Sequence, residues 1–185
     1  REYYPNENFP ELVELIRRLT FINRRLTRDL YSPRWFKPKK ISEILLNLCH
    51  ETQSHQFTSW LDSIFKANFA SPKLVRAIKF ELNDSSFWTK FTTVAHSLDL
   101  EQLSICLRGL FALDFEQTRE YINSVNIPYF NKLCHDVPLP VLVNSLKRLV
   151  YIDAGFISDL TASWTSSDGQ LPNSIEINLG KIDKS

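Results

Sequence analysis

The stretch LKRLVYIDAGFISDL, residues 146–160, places the carboxylate of Asp153 between two segments whose apolar residues recur at helical spacing. An aspartate at a helix start accepts hydrogen bonds from backbone amides that have no intrahelical partner, and its charge is favourable at the positive end of the helix dipole. The stretch therefore predicts a helix, a short turn at Asp153 and a second helix. In this interpretation Asp153 is an N-cap, and the alternative is a catalytic carboxylate.

The same arrangement recurs along the chain at intervals of 30 to 39 residues. The five copies are INRRLTRDL (22–30), QSHQFTSWL (53–61), NDSSFWTKF (83–91), LDFEQTREY (113–121) and IDAGFISDL (152–160), with the capping-type residues Asn23, Ser54, Asp84, Asp114 and Asp153. An amphipathic stretch precedes each copy, and two-helix units with this period are typical of α-solenoids. The sequence predicts an all-α fold, a helix-hairpin solenoid of about five repeats over residues 10–165, followed by an irregular tail at 166–185.

Capping residues and prolines predict where other helices begin and end. Ser71-Pro72 is expected to open one helix, and Asp99 or Ser97 is expected to cap another. The segment 126–140 predicts a short extra helix that ends at the prolines Pro138 and Pro140. The alternating sequence SIEINLGKI, residues 174–182, indicates either a lone strand or a tail that leaves the domain.

Composition restricts the class of protein. With 185 residues, 43% hydrophobic and 23% charged, the chain is expected to be a single globular domain of a cytoplasmic protein. It contains no apolar run of about 20 residues and no signal-peptide pattern, so we expect no membrane contact. Its three cysteines lie in apolar helical patterns and are predicted to be reduced and buried. The chain starts at Arg1 and contains no Met, which predicts a fragment or a processed chain.

The form L-x-x-I-D-x-x-F-x-x-x-L, clearest in LKRLVYIDAGFISDL, resembles helical repeats C-terminal to the nucleotide-binding core of bacterial STAND-type (NACHT or NB-ARC-like) NTPases. The resemblance covers residues 10–164. It implies a sensor or oligomerisation surface of a larger intracellular protein in defence against phage. The chain departs from these NTPases because it has no G-x-x-x-x-G-K-[ST], and its four glycines are scattered. The nucleotide-binding core itself is therefore not part of this sequence.

Two Cys-His dipeptides, at residues 49–50 and 134–135, are the candidates for metal or nucleophile chemistry. Adjacent residues on a helix point in directions about 100° apart, which is a poor arrangement for binding one ion. The sequence has no C-x-x-C, no nucleophile elbow and no paired-carboxylate motif. We therefore predict a non-enzymatic protein with no catalytic residue, no metal site and no cofactor. The alternative is an enzyme whose Cys/His site is assembled from different repeats.

Charge is concentrated in residues 17–40, which we call the basic pole. This segment has nine basic residues and one acid, a net charge of +8, whereas the rest of the chain, with thirteen basic and twenty acidic residues, has −7. A localised field of this sign attracts acidic partners. The predicted binding residues are Arg17, Arg18, Arg24, Arg25, Arg28, Arg34, Trp35, Lys37, Lys39 and Lys40.

The expected partner is a protein with an acidic surface, because the cations cluster at one end instead of following several repeats. The alternative is nucleic acid, whose phosphates would contact the arginines and lysines while Trp35 stacks on a base. A third interpretation is a solvated helix face in which Trp35 closes the hydrophobic core. The sequence thus predicts a protein-interaction or sensing module.

Overall fold

A computed structural model describes residues 9–22, 37–50, 54–82, 85–125, 127–166 and 171–176. In these residues the secondary structure is entirely helical, so the predicted all-α class is confirmed. The helices are α1 Phe9–Ile22, α2 Pro38–His50, α3 Ser54–Ala70, α4 Pro72–Glu81, α5 Ser85–Ala95, α6 Leu100–Leu113, α7 Phe115–Ser124, α8 Ile127–His135, α9 Leu139–Ile152 and α10 Ala154–Trp164. None of these described helices is long and apolar enough to cross a membrane.

The predicted helix-turn-helix junctions at Asp114 and Asp153 are confirmed. Asp153 is the only residue between α9 and α10, and its carboxylate accepts a hydrogen bond from the Phe156 amide at 3.1 Å. Asp114 joins α6 to α7 in the same way and accepts from the Gln117 amide at 3.3 Å. Both aspartates are therefore N-caps, as the spacing predicted. The other capping-type positions lie outside the described residues: Asn23, Asp84 and the side chain of Ser54.

Two further predicted helix starts are confirmed. Ser71 caps α4 by accepting from the Leu74 amide at 3.4 Å, and Pro72 is the first residue of that helix. Asp99, and not Ser97, caps α6, where it forms a capping box with Gln102.

The short extra helix predicted in residues 126–140 is α8. It ends at His135, ahead of Pro138, whereas Pro140 lies in the first turn of α9. Pro140 therefore opens the following helix instead of ending α8, because a proline is tolerated where the backbone amide has no intrahelical partner.

Helices α1, α3, α6 and α9 lie side by side in one layer and run in the same direction. Between α1 and α3, the ring of Phe9 stacks on Trp60 at 5.2 Å between centroids, and Glu14 pairs with Lys66. Residues nearer the N-terminus of α1 thus contact residues nearer the N-terminus of α3, so the two helices run in the same direction. Contacts between α3 and α6 follow the same order, from Thr58–Cys106 to Asp62–Arg108. Those between α6 and α9 do so as well, from Ser104–Arg148 to Phe111–Tyr151.

Helices α3 and α6 approach each other closely at Gly109, which permits the contact. A Cβ atom at Gly109 would lie 2.7 Å from the carbonyl carbon of Leu61 and closer still to the oxygen. A side chain at this position would therefore collide with the backbone of α3. The buried hydroxyl of Thr58 lies 3.5 Å from the sulfur of Cys106 in the same interface.

The packing does not confirm a regular array of five hairpins. In the predicted repeat, α3 is the second helix of its pair and α6 is the first helix of another. In the structure these two helices are direct neighbours in one layer, although α4 and α5 separate them in sequence. This contact is determined by how the faces of α3 and α6 fit together, and not by the predicted repeat. The number of repeats therefore stays a prediction.

Residues 171–176 pack against the helices. Leu171 and Ile175 are partly buried against the hydrophobic core, and the side-chain amide of Asn173 donates to Asp136 at 2.7 Å. Residues 173–176 are helical, so the interpretation as a strand is wrong for this part of SIEINLGKI. The remaining residues of that stretch, 177–182, lie outside the described part of the chain.

Candidate partner-binding edge

Half of the predicted binding residues of the basic pole are described. Arg17 donates two hydrogen bonds of 2.9 Å to Glu14, and Arg18 donates one of 3.2 Å. The hydrogen bonds from Arg17 are the main cause of a pKa of about 2 for Glu14. These exposed pairs within one helix contribute little to stability. Five predicted residues lie outside the described part of the chain: Arg24, Arg25, Arg28, Arg34 and Trp35.

The lysines of the basic pole lie at the start of α2. Lys37 precedes the helix, Lys39 and Lys40 lie in its first turn, and all three are exposed. Cations are unfavourable at this end of a helix, where the dipole is positive, and the first turn of α2 contains no acid. The charges of Lys39 and Lys40 are therefore unfavourable with respect to the dipole of α2.

The cysteines are buried thiols. Burial raises the pKa of Cys49, Cys106 and Cys134 to about 12, so each thiol is protonated at neutral pH. A protonated thiol is a weak nucleophile and a poor metal ligand. Within the described ranges, no group of three or more His, Cys, Asp or Glu side chains is placed to hold a metal ion.

The most distinctive surface is a row of aromatic rings where α3, α6 and α9 end. We call it the aromatic edge, and its members are Phe65 and Phe69 of α3, Phe111 of α6, Phe115 of α7 and Tyr151 of α9. Successive rings are in contact, with centroid distances of 5.0 Å for Phe69–Phe65, 6.1 Å for Phe65–Tyr151, 5.7 Å for Tyr151–Phe111 and 6.4 Å for Phe111–Phe115. The rings therefore form one continuous surface.

The aromatic edge has a partly buried floor and an exposed rim. Phe65 and Phe111 are half-buried, whereas Phe69 is 71% exposed, Tyr151 57% and Phe115 51%. Single exposed apolar residues are common, but a contiguous set marks an interaction site or an aggregation hazard. The exposure of the three rim rings identifies this edge as the candidate functional surface.

The parallel layer explains why these rings meet. Phe65 and Phe69 are one helical turn apart near the end of α3, and Phe111 and Phe115 flank the end of α6. Because α3, α6 and α9 run in the same direction, their C-terminal ends lie at the same edge of the layer. A regular alternation of helix directions would have placed Phe111 of α6 at the opposite edge from Phe65 and Tyr151.

Cations accompany the rings. The guanidinium of Arg108 lies 4.2 Å from the ring centre of Phe65 and pairs with Asp62 at 2.6 Å. Lys66 pairs with the same carboxylate at 2.8 Å. Exposed Lys147 lies one helical turn before Tyr151 on α9. The aromatic edge is therefore bordered by positive charge.

The start of α6 is acidic, and Asp62 in the middle of α3 lies between this acidic region and the cations of the aromatic edge. A groove of about 330 Å³ lies between α3 and the start of α6, with Asp62, Asp99, Glu101 and His55 among its lining residues. Acids near helix starts and bases near helix ends are favourable with respect to the helix dipoles. The positions of Asp99 and Glu101, at the cap and in the first turn of α6, are thus accounted for by helix stability.

Sequence reasoning missed the aromatic edge, although α3 contains a signal for it. Its buried apolar residues include Phe57, Leu61 and Ile64, which already form a core-facing stripe. Phe65 and Phe69 extend the apolar surface beyond that stripe. An amphipathic helix needs only one apolar face to fold, so the surplus aromatic residues indicate a second contact.

No family model, curated protein or solved structure matches this chain. Function is therefore inferred from the aromatic edge and the charges that surround it.

Proposed function

We propose that this protein is a non-enzymatic interaction or sensing module that binds a protein partner through the aromatic edge. The observation that carries the proposal is the row of contacting rings whose rim members, Phe69, Phe115 and Tyr151, are more than half exposed. Aromatic side chains that stand on a fixed helical framework lose little conformational entropy when a partner covers them. Such residues commonly dominate the free energy of protein–protein binding.

The exposed parts of the three rim rings are large enough to support specific binding. Aromatic side chains bury about 150–250 Å² each. At about 25 cal/mol per Å², covering the exposed part of all three would contribute on the order of 5–10 kcal/mol before the cost of association. A micromolar complex needs a net of about 8 kcal/mol, so these rings require a few additional contacts around them.

A helical-repeat scaffold of about five units suits this function because stacked helices present an extended surface. The resemblance to the sensor repeats of bacterial STAND-type NTPases supports the same proposal. In such a protein, the aromatic edge would contact either the molecule being sensed or another domain of the assembly. The module would then act in the cytoplasm, as part of an antiviral defence protein.

Nucleic acid is the second candidate partner. The exposed Tyr151 and Phe69, with Lys147 beside them, resemble the combination of stacking platform and cation that binds single strands. However, the cations do not continue along the whole edge, because exposed Glu116 follows Phe115 directly, whereas a single strand needs a basic groove that follows its backbone. A protein partner therefore ranks first.

Peptide display provides the test, since no partner needs to be known in advance. Binders are selected on the wild type and then titrated against the double variant Phe69→Ser/Tyr151→Ser. Phe80→Ser is the matched control, because Phe80 is 80% exposed on α4 and makes no ring contact with the aromatic edge among the described residues. We expect the double variant to lose about 30-fold or more in affinity and the control to lose less than about 2-fold. Binders that tolerate the double variant would contradict the proposed surface.

A further inference from the structure

We propose that the aromatic edge takes an acidic amphipathic helix, with apolar anchors on one face and carboxylates beside them. This inference rests on the proposed function and specifies the chemistry of the partner. Three features carry it: the span of the aromatic edge, the excess positive charge on its α3–α6–α9 side, and the poor fit of a second copy of the chain.

The span suits three to four turns of helix. The edge crosses the ends of three neighbouring helices, and packed helices lie about 8–10 Å apart, so it extends over about 20 Å. A helix rises 1.5 Å per residue, so about 13 residues cover this distance. Anchors at positions i, i+4 and i+7 of such a helix would contact the floor rings Phe65 and Phe111 between the more exposed Phe69 and Tyr151.

The charge on this side of the edge is positive. Asp62 pairs with Arg108 at 2.6 Å and with Lys66 at 2.8 Å, and Lys66 also lies 3.8 Å from Glu14. Glu14 is in turn shared with Arg17 and Arg18, so these two carboxylates face four positive charges. Lys147 is exposed, and none of the described carboxylates lies within 4 Å of it. Carboxylates on the partner would meet this excess.

Arg148 adds to the positive field behind the rings. Burial, and then the nearby charge of Arg108, lower the pKa of Arg148. Its ion-pair contact with Glu101 is long, at 3.8 Å. On the α7 side the charge differs, because exposed Glu116 follows Phe115 directly. The expected carboxylates of the partner therefore lie over α3, α6 and α9, and not over α7.

A second copy of this chain is a poorer occupant. A symmetric dimer through the edge would place the same patch on both sides, so that Lys147 and Lys66 would face a surface with the same excess charge. Like charges across an interface are unfavourable. An acidic helix would contact the same rings, and its carboxylates would attract the lysines instead of repelling them.

The test is the charge of the peptides that the aromatic edge selects. A helical peptide library with equal numbers of Glu and Lys at its variable polar positions is selected on the wild type. The selected peptides are then titrated against Lys147→Glu and against the control Lys132→Glu, an exposed lysine on α8. We expect acidic peptides with anchors spaced three or four residues apart. Lys147→Glu should weaken them about 5- to 10-fold, mainly through slower association, and Lys132→Glu should leave them unchanged.

The outcomes separate this inference from the proposed function. Neutral or basic peptides that still require Phe69 and Tyr151 would overturn the acidic helix and leave the interaction surface intact. Peptides that require neither ring would overturn both. A 20-nucleotide single strand serves as a further probe: binding that depends on Tyr151 and falls steeply with salt for any base sequence would overturn the acidic helix in favour of nucleic acid. Gel filtration of the wild type at high concentration is expected to show a monomer, whereas a dimer that Tyr151→Ser dissociates would overturn the inference in favour of self-association.

Discussion

Replacing Gly109 by alanine tests the contact between α3 and α6, which positions the aromatic edge. The new methyl group would lie 2.7 Å from both the carbonyl carbon and the Cβ of Leu61, and closer to the carbonyl oxygen. Backbone atoms within a helix cannot rotate away, so the two helices must move apart. Overpacking of this kind costs about 1–3 kcal/mol and occasionally more, and the rigid neighbour puts this site at the upper end.

Helix propensity works in the opposite direction, since alanine in place of glycine stabilises a helix by about 1 kcal/mol. The expected net loss of unfolding free energy is therefore about 2 kcal/mol, measured by urea denaturation with helical circular dichroism. Gly155→Ala is the control: its methyl group would meet only the Asp153 carboxylate, at 3.2 Å, and we expect a change below about 1 kcal/mol. A Gly109→Ala variant as stable as the wild type would refute the close approach of α3 and α6.

The remaining predictions concern the caps and the thiols. Asp114→Ala and Asp153→Ala should each lower the unfolding free energy by about 1–2 kcal/mol, because each removes an N-cap and an ion pair. The base in that ion pair is half exposed: Lys79 for Asp114 and Arg119 for Asp153. Asp159→Ala, on the exposed face of α10, should change it by less than about 0.5 kcal/mol, and equal effects of all three would argue against capping. Thiol titration should count three cysteines in urea and almost none in the native protein at pH 8, and a chelator should leave the melting temperature unchanged. Because burial raises the thiol pKa values from 9.0 to about 12, the unfolded chain ionises first, so stability should fall as pH rises from 9 towards 12; unchanged stability there would contradict burial of the thiols.

The helices and their caps could be predicted from the sequence because the responsible interactions are local. Asp114 and Asp153 bond to amides three residues ahead, and Ser71 does the same before Pro72. Such contacts depend only on spacing. The order of helices in the layer depends instead on the fit of distant surfaces, such as Gly109 against Leu61, and a repeat pattern contains no information about it.

The candidate site likewise has features that the sequence shows directly and features that depend on contacts between distant helices. Charge can be read directly from a sequence, so the binding residues were predicted in the basic pole. In the structure, however, Arg17 and Arg18 are paired with Glu14. The aromatic edge combines Phe65, Phe111 and Tyr151 from three helices, and the first and last are 86 positions apart in sequence. Their contact follows from the parallel layer, so it became visible only with the fold.

Photochemical crosslinking tests the binding surface most directly. A photoreactive phenylalanine analogue replaces Phe69 in one variant and Phe80 in another, both of which are strongly exposed. Each variant is irradiated with the tightest peptide from the display selection, and the crosslinked residue is identified by mass spectrometry. Binding at the aromatic edge predicts a crosslink from position 69 and none from position 80. A crosslink from position 80 alone would contradict it.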